Sequence, residues 1–378
     1  MGPLTGFKVI EIKGLGPGPY AGMLLADLGA EVIVVERASK PNSISPPSAF
    51  DVLSRGKKSI ALNLKSKEGL EILLRLIKGA DALIESFRPG VTERLGFGPD
   101  TCFERNPKLV YGRMTGWGQT GPLAHSAGHD INYISLTGAA AAIGTVEGPV
   151  PPLNLVGDFA GGSLFLVVGI LSALLEAQQS GKGQVIDAAI TDGSAHLMSL
   201  FYTLSKLGRW NSSRESNLLD GGTPFYGVYE TADEKFVSVG SIEPQFFAEM
   251  VTKAGIPECF IQERNNPAKW PELKAALIET FKSKSRDEWV EILEGSDACV
   301  AGMLDFEEAI DHPHNKARGT YIEINGIQQP APAPRFSRSV CETPAAPRAE
   351  GTDTQVVLEE WGFNADEIVV MREAGALP

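Results

Sequence analysis

The residues whose types and spacing could do chemistry are His129 and Asp158. The histidine stands in Gly128-His129-Asp130-Ile131-Asn132-Tyr133, and the aspartate closes Asn154-Leu155-Val156-Gly157-Asp158. Both lie in glycine-containing segments, where the backbone can approach a ligand closely. The chain has five histidines, and His125, His196, His312 and His314 lack a comparable setting. An imidazole and a carboxylate aimed at one carbon from opposite faces can remove a proton and return it to the other side, which is the chemistry of an epimerase. Each residue also has a plainer reading. A lone histidine is more often structural or exposed, and Asp158 suits the N-cap of the apolar helix that follows it. Glu243, in Gly240-Ser241-Ile242-Glu243-Pro244, stands at a strand-to-helix corner, where it reads as a cap before a proline at the first helical position.

The elements that must position these groups begin as a β-loop-α-β unit. Phe7 to Ile12 is a β-branched apolar run, Tyr20 to Leu28 has helical apolar spacing, and Glu31 to Glu36 reads as a second strand. The alternation continues with a strand over Ser59 to Leu64, a helix over Lys67 to Lys78, and strands over Asp81 to Glu85 and Leu109 to Met114. Such alternation predicts an α/β fold with a mainly parallel sheet covered on both faces. The uncharged run Phe159 to Leu175 falls short of a full bilayer span and contains Gly161, Gly162, Ser163, Gly169 and Ser172. It is expected to be a buried core helix, stopped by Gly181-Lys182-Gly183. A strand over Gln184 to Ile190 and a helix capped by Asp192 complete a first large domain over residues 1–207. Residues 208–222 read as a linker. From Thr223 the texture changes to a hairpin around Thr231-Ala232-Asp233-Glu234 followed by helices, a small α+β domain over 223–315.

Composition narrows the partners. A length of 378 residues, 43% hydrophobic content and a formal net charge of −13 describe a folded chain for which nucleic acid or an anionic membrane is not the expected partner. The four cysteines (Cys102, Cys259, Cys299 and Cys341) form no CxxC, so no metal site is expected and a reducing, cytoplasmic setting is. The amino terminus lacks a basic n-region with an apolar core, and Ala376-Leu377-Pro378 is not a peroxisomal tripeptide.

Gly14-Leu15-Gly16-Pro17-Gly18-Pro19 occupies the place of a dinucleotide fingerprint, but Pro19 replaces the third glycine and two prolines remove N–H donors that a pyrophosphate would need. The loop is therefore either a tight turn or a contact to some other ligand. Cations recur after successive strands: Arg37, Lys65, then Arg88 and Arg94. In an open parallel sheet ligands bind outside the carboxyl ends of the strands, so these groups could converge on phosphates.

Taken together, Gly16-Pro17-Gly18-Pro19, Arg88-Pro89-Gly90-Val91, Met114-Thr115-Gly116-Trp117-Gly118-Gln119, the 128–133 and 154–158 segments, Gly181-Lys182-Gly183-Gln184-Val185 and Ile242-Glu243-Pro244-Gln245 resemble the family III CoA-transferase superfamily, in its α-methylacyl-CoA racemase branch, over nearly the whole chain. The resemblance implies a Rossmann-like large domain completed by a carboxyl-terminal segment (316–378), a small α+β domain, and an interlocked homodimer. It implies epimerisation of a 2-methylacyl-CoA through an enolate. His129 and Asp158 match the acid/base pair, Glu243 the residue that orients the histidine, and Asn154 the partner of the aspartate. CoA contacts carry over to Arg37, to Leu62, Asn63, Leu64 and Lys65, to Ser86, Phe87, Arg88 and Arg94, and to Gly128, Asp130, Ile131, Asn132 and Tyr133. CoA enters as part of the substrate, and no further cofactor is expected. The main rival is CoA transfer to a carboxylic acid, with Asp158 as nucleophile; a non-enzymatic acyl-CoA binding protein is a third reading.

Overall fold

The computed structural model describes residues 1–37 and 50–378, which divide into two compact units. The first comprises Met1–Gly138, Pro152–Met198 and His314–Pro378. Its centre is a six-stranded sheet of β1 (Lys8–Ile12), β2 (Glu31–Arg37), β3 (Lys58–Leu62), β4 (Ala82–Glu85), β5 (Val110–Thr115) and β6 (Gln184–Ala189), in the order β3-β2-β1-β4-β5-β6. Every neighbouring pair is parallel. The strand order reverses between β1 and β4, so the loops leaving those two strands diverge and open a crevice.

Residues alternate between faces along each strand. Ile10, Ile33 and Ile60 pack on one side with the Lys67–Lys78 helix, while Val9, Val32 and Ile84 pack on the other with the Pro17–Asp27 and Phe165–Ser180 helices. The expected apolar helix is present in two parts. Leu155–Leu164 winds as a π-helix, in which the Phe159 N–H reaches the Asn154 carbonyl, and the α-helix Phe165–Ser180 continues it to Gly181, at φ +74. Asp158 is thus inside the wide turns, and Asn154 takes the N-cap position expected of it. Asp192, expected as a cap, lies instead in the first turn of the Ile190–Leu197 helix, whose N-cap is Ala189. The run Leu155–Ser180 is long and apolar enough to cross a membrane by length and composition. Leu166, Val167, Ile170, Ala173 and Leu174 seat one face of it in the second core, while Leu164, Val168 and Leu175 stay exposed, so it is half-buried rather than the fully buried helix expected.

The carboxyl-terminal segment closes the open edge of β3. Ser59 N–H donates to Asp353 Oδ2 (2.9 Å), Ala61 N–H to Thr354 Oγ1 (3.1 Å) and Asn63 N–H to the Ala376 carbonyl (2.9 Å). An edge whose donors are occupied does not recruit another strand.

The second unit comprises Ala139–Pro151 and Ser199–Pro313. Its antiparallel sheet joins β7 (Tyr226–Glu230), β8 (Phe236–Gly240) and β9 (Val300–Gly302), with β8 in the middle. Phe225, Phe247, Leu277, Phe281 and Trp289 form its core. The chain leaves the first unit after Met198 rather than at the predicted 207, and returns to it at His314. The following helix, Ser199–Lys206, belongs with the second unit, where Phe201 packs edge-on to Trp210 with centroids 4.8 Å apart. The excursion 139–151 joins the same unit because Arg214 donates to the Thr145 and Ala141 carbonyls (2.7 and 3.1 Å) and Glu215 accepts from the Val146 N–H (2.9 Å). Those are contacts between segments remote in sequence, which no local pattern announces.

Candidate active site

A cleft of about 380 Å³ opens at the carboxyl ends of β1, β4 and β5. Leu15, Gly16 and Pro17 enter it from the loop after β1, Ser86 to Pro89 from the loop after β4, and Thr115 to Trp117 from the end of β5. His129 and Asp158 both line it, one from an exposed turn and the other from the π-helix.

The histidine is the N-cap of the short Asp130–Ser135 helix. Its own N–H donates to Asn132 Oδ1 at 3.0 Å, which fixes the turn and leaves the imidazole exposed to the cleft. Tyr133 supports the same turn from beneath. Its hydroxyl donates to the Gly128 carbonyl, and its ring meets Trp117 edge-on with centroids 4.7 Å apart. A Cβ on Gly128 would fall 2.7 Å from the Tyr133 ring, so this position accepts only glycine at that spacing.

Asp158 is half-buried, and its backbone N–H donates to Asp130 Oδ1 at 2.7 Å. Burial pushes its carboxyl above the ordinary carboxylate range. The Asn154 amide, 3.4 Å from Oδ2, opposes this; the neighbouring Asp130 charge adds to it; and the His129 imidazole, close enough to be felt electrostatically, opposes it. A carboxyl whose burial favours the protonated form can carry a proton and give it up when a cation forms opposite. That suits a group alternating between acid and base.

A second cleft, about 550 Å³, lies over the ends of β1, β2 and β3 and shares Phe87 with the first. Arg37, Leu62, Asn63, Leu64 and Lys65 line it, together with Lys13 and Glu36. Ser86, Phe87, Arg88, Gly128 and Tyr133 line the first cleft. The expected ligand contacts thus fall into two clefts meeting at one side chain. Arg94, Asp130, Ile131 and Asn132 line neither. Asp130 lies behind the first cleft, holding the backbone N–H groups of Asp158 and Gly157, and Asn132 is occupied with the His129 turn. Glu243 belongs to the second unit, where it is exposed at the N-cap of the Pro244–Ala254 helix.

A model of CoA-transferase family III matches residues 4–353. The chain belongs to CoA-transferase family III. It is 44% identical to the mouse protein named α-methylacyl-CoA racemase over 373 residues, covering 97% of this chain and 95% of that protein. It is 32% identical to the acetyl-CoA:oxalate CoA-transferase of Acetobacter aceti, over 92% of this chain and 93% of that one. A crystal structure of a CaiB/BaiF family protein from Brucella suis superposes with a TM-score of 0.81 at 25% identity, covering 95% of this chain and 99% of that one.

One residue lining the cleft, Trp117, and one neighbour of Glu243 within the second unit, Arg264, went unnoticed as side chains. Trp117 walls the cleft from the end of β5, a position that the strand-end rule points to. In the second unit, Arg264 donates to the Ile242 carbonyl, lies 4.0 Å over the Phe225 ring and places its charge beside Glu243. Nothing in its local sequence distinguishes it from a surface arginine.

Proposed function

We propose that this chain is an α-methylacyl-CoA racemase, epimerising 2-methylacyl-CoA thioesters by 1,1-proton transfer. The observation that carries the reading is the sharing of one cleft by His129 and Asp158, with burial holding the Asp158 carboxyl toward its protonated form. The identity to a protein of that name over nearly all of both chains supports it.

In one direction neutral His129 takes the α-proton while protonated Asp158 supplies one from the opposite face. The reverse starts from the imidazolium and the ionised carboxylate. The thioester acidifies the α-carbon, so the proposed reaction draws on no metal or redox cofactor. N–H groups at the start of the Asp130–Ser135 helix would receive the enolate oxygen. Asn154 steadies Asp158 Oδ2, and Arg37, Lys65 and Arg88 offer cations to the phosphates of CoA along the two clefts.

The reading includes an interlocked homodimer in which Glu243 of a partner subunit orients His129. Supporting it, Val168 and Leu175 on the outer face of the Phe165–Ser180 helix are 62% and 63% exposed, as are Tyr202 and Leu207 at 65% and 61%. Apolar side chains left exposed along a helix face suit burial against a partner. If the sites are shared, co-expressing inactive His129→Ala and Glu243→Ala chains, so that mixed dimers assemble as they fold, will restore roughly a quarter of wild-type activity; mixed dimers without recovery would place both residues on one subunit. Four free cysteines support a cytoplasmic location.

The second reading is CoA transfer with Asp158 as nucleophile, favoured by the oxalate transferase relative. That chemistry leaves the imidazole of His129 without a task. Incubation of one epimer of a 2-methylacyl-CoA in D₂O without an acceptor acid separates the two. The racemase reading requires α-hydrogen exchange and epimerisation, each lost in His129→Ala and Asp158→Ala. Absence of exchange, with CoA passing to an added carboxylate, would overturn it.

A further inference from the structure

Gly16 meets the Asp158 carboxyl in a way that no acid–base role explains. It lines the cleft that Asp158 lines, with its backbone at φ +65 and ψ −109, a region that is essentially closed to other residues. A Cβ built on it would lie 3.2 Å from Asp158 Oδ2 and 3.8 Å from Cγ, and would meet nothing else within 4 Å. The adjacent glycines have a packing reason. A Cβ on Gly18 would stand 2.4 Å from Ser86 Oγ, and one on Gly14 would stand 3.2 Å from Ser86 Cβ. What the missing side chain of Gly16 leaves open is space beside the carboxylate alone.

That space has a fixed size. The Ser163 hydroxyl donates toward both the Pro17 carbonyl (2.8 Å) and the Asp158 carbonyl (2.9 Å), clamping the glycine loop to the turn that carries the carboxylate. Buried Lys57 holds the Pro19 carbonyl of the same loop at 2.8 Å. A carbon that exchanges its proton with Asp158 must come within about 3–3.5 Å of the carboxylate oxygen, the shell in which a Gly16 Cβ would stand. A straight-chain thioester brings two hydrogens on that carbon; an α-branched one must also fit a methyl group there.

We propose that Gly16 is a specificity-determining residue: the side chain it lacks leaves the methyl-sized space beside Asp158 that admits α-branched acyl thioesters. The inference rests on the racemase reading and names the feature that sets its substrate class.

The test compares α-hydrogen exchange in D₂O for a 2-methylacyl-CoA and the straight-chain acyl-CoA of equal length, in wild type, Gly16→Ala and Gly319→Ala. Gly319 serves as a control, because it too has positive φ (+57) with open space around it. The expected result is that Gly16→Ala slows exchange of the branched ester by at least about tenfold more than that of the straight one, and that Gly319→Ala alters neither. Equal loss on both esters, or no loss on either, would overturn the inference. If Gly16→Ala does not fold, wild type decides: exchange is expected with 2-methyl and lost with 2-isopropyl, and comparable rates with both would overturn the inference. Wild type that exchanges neither the straight-chain nor the 2-methyl ester would overturn the racemase reading and this inference with it. Wild type that exchanges them while the variants show no selectivity would overturn the inference alone.

Discussion

The backbone N–H of Asp158 donates to Asp130 Oδ1 at 2.7 Å, so one aspartate is held in place by the side chain of another. The two carboxyls are coupled in charge as well, since Asp130 helps to keep the Asp158 proton on. Asp130→Asn retains an oxygen for the hydrogen bond but removes the charge. Asp158 will then ionise at lower pH, and the limb of the pH–rate profile that the proposed acid/base role assigns to it will move to lower pH. Asp130→Ala removes the brace as well and is expected to lower kcat about 10²-fold through misplacement of the carboxyl. An unmoved limb in Asp130→Asn would detach Asp130 from Asp158.

Asn154→Ala is expected to shift the same limb the other way. The amide favours the ionised form of Asp158, so its loss raises the pH at which the carboxyl ionises, with activity reduced about tenfold as a hydrogen bond to a charged group is lost. Steady-state pH profiles of the two variants side by side test the sign. Shifts in the same direction would refute this account of the pair.

Glu85, buried at the end of β4, accepts from the Phe87 N–H at 2.6 Å and lies 3.6 Å from Arg113, and burial pushes its carboxyl up from 4.5 to about 7. A raised folded value means that the folded state binds the proton more tightly than the unfolded state. The stability this confers is complete below about pH 4.5 and is lost as pH rises through 7, amounting to about 3 kcal/mol. Glu85→Gln cannot titrate. Urea denaturation between pH 4.5 and 7.5 should show wild type losing roughly that much more than the variant, and parallel pH profiles would contradict the assignment.

Lys57 and Glu11 form a fully buried ion pair at 2.6 Å beneath the glycine loop, and Glu11 Oε1 has no further partner. Lys57→Met strands the carboxylate and is expected to cost about 3–5 kcal/mol, whereas Lys57→Met combined with Glu11→Leu should recover most of that loss. Denaturation midpoints of the single and double variants measure it. A double variant no more stable than the single would show that the loop needs the Lys57 hydrogen bond to the Pro19 carbonyl itself.

Much of this protein is written locally in its sequence. Alternating β-branched strands and amphipathic helices fix a parallel α/β unit, because side-chain periodicity decides which face of each element is buried. The cations after successive strands were legible because strand ends are where an open sheet binds, whereas His129 and Asp158 stood out by residue type within glycine-containing segments. What tertiary structure decided are relationships between segments far apart in the chain. Asp130 turned out to brace Asp158 from behind the cleft. Arg214 gathered 139–151 into the second unit, and the carboxyl-terminal segment paired with the edge of β3. Gly16 acquired its meaning only when the β1 loop was clamped against the π-helix by Ser163, since a missing side chain shows its purpose only once its neighbours in space are known.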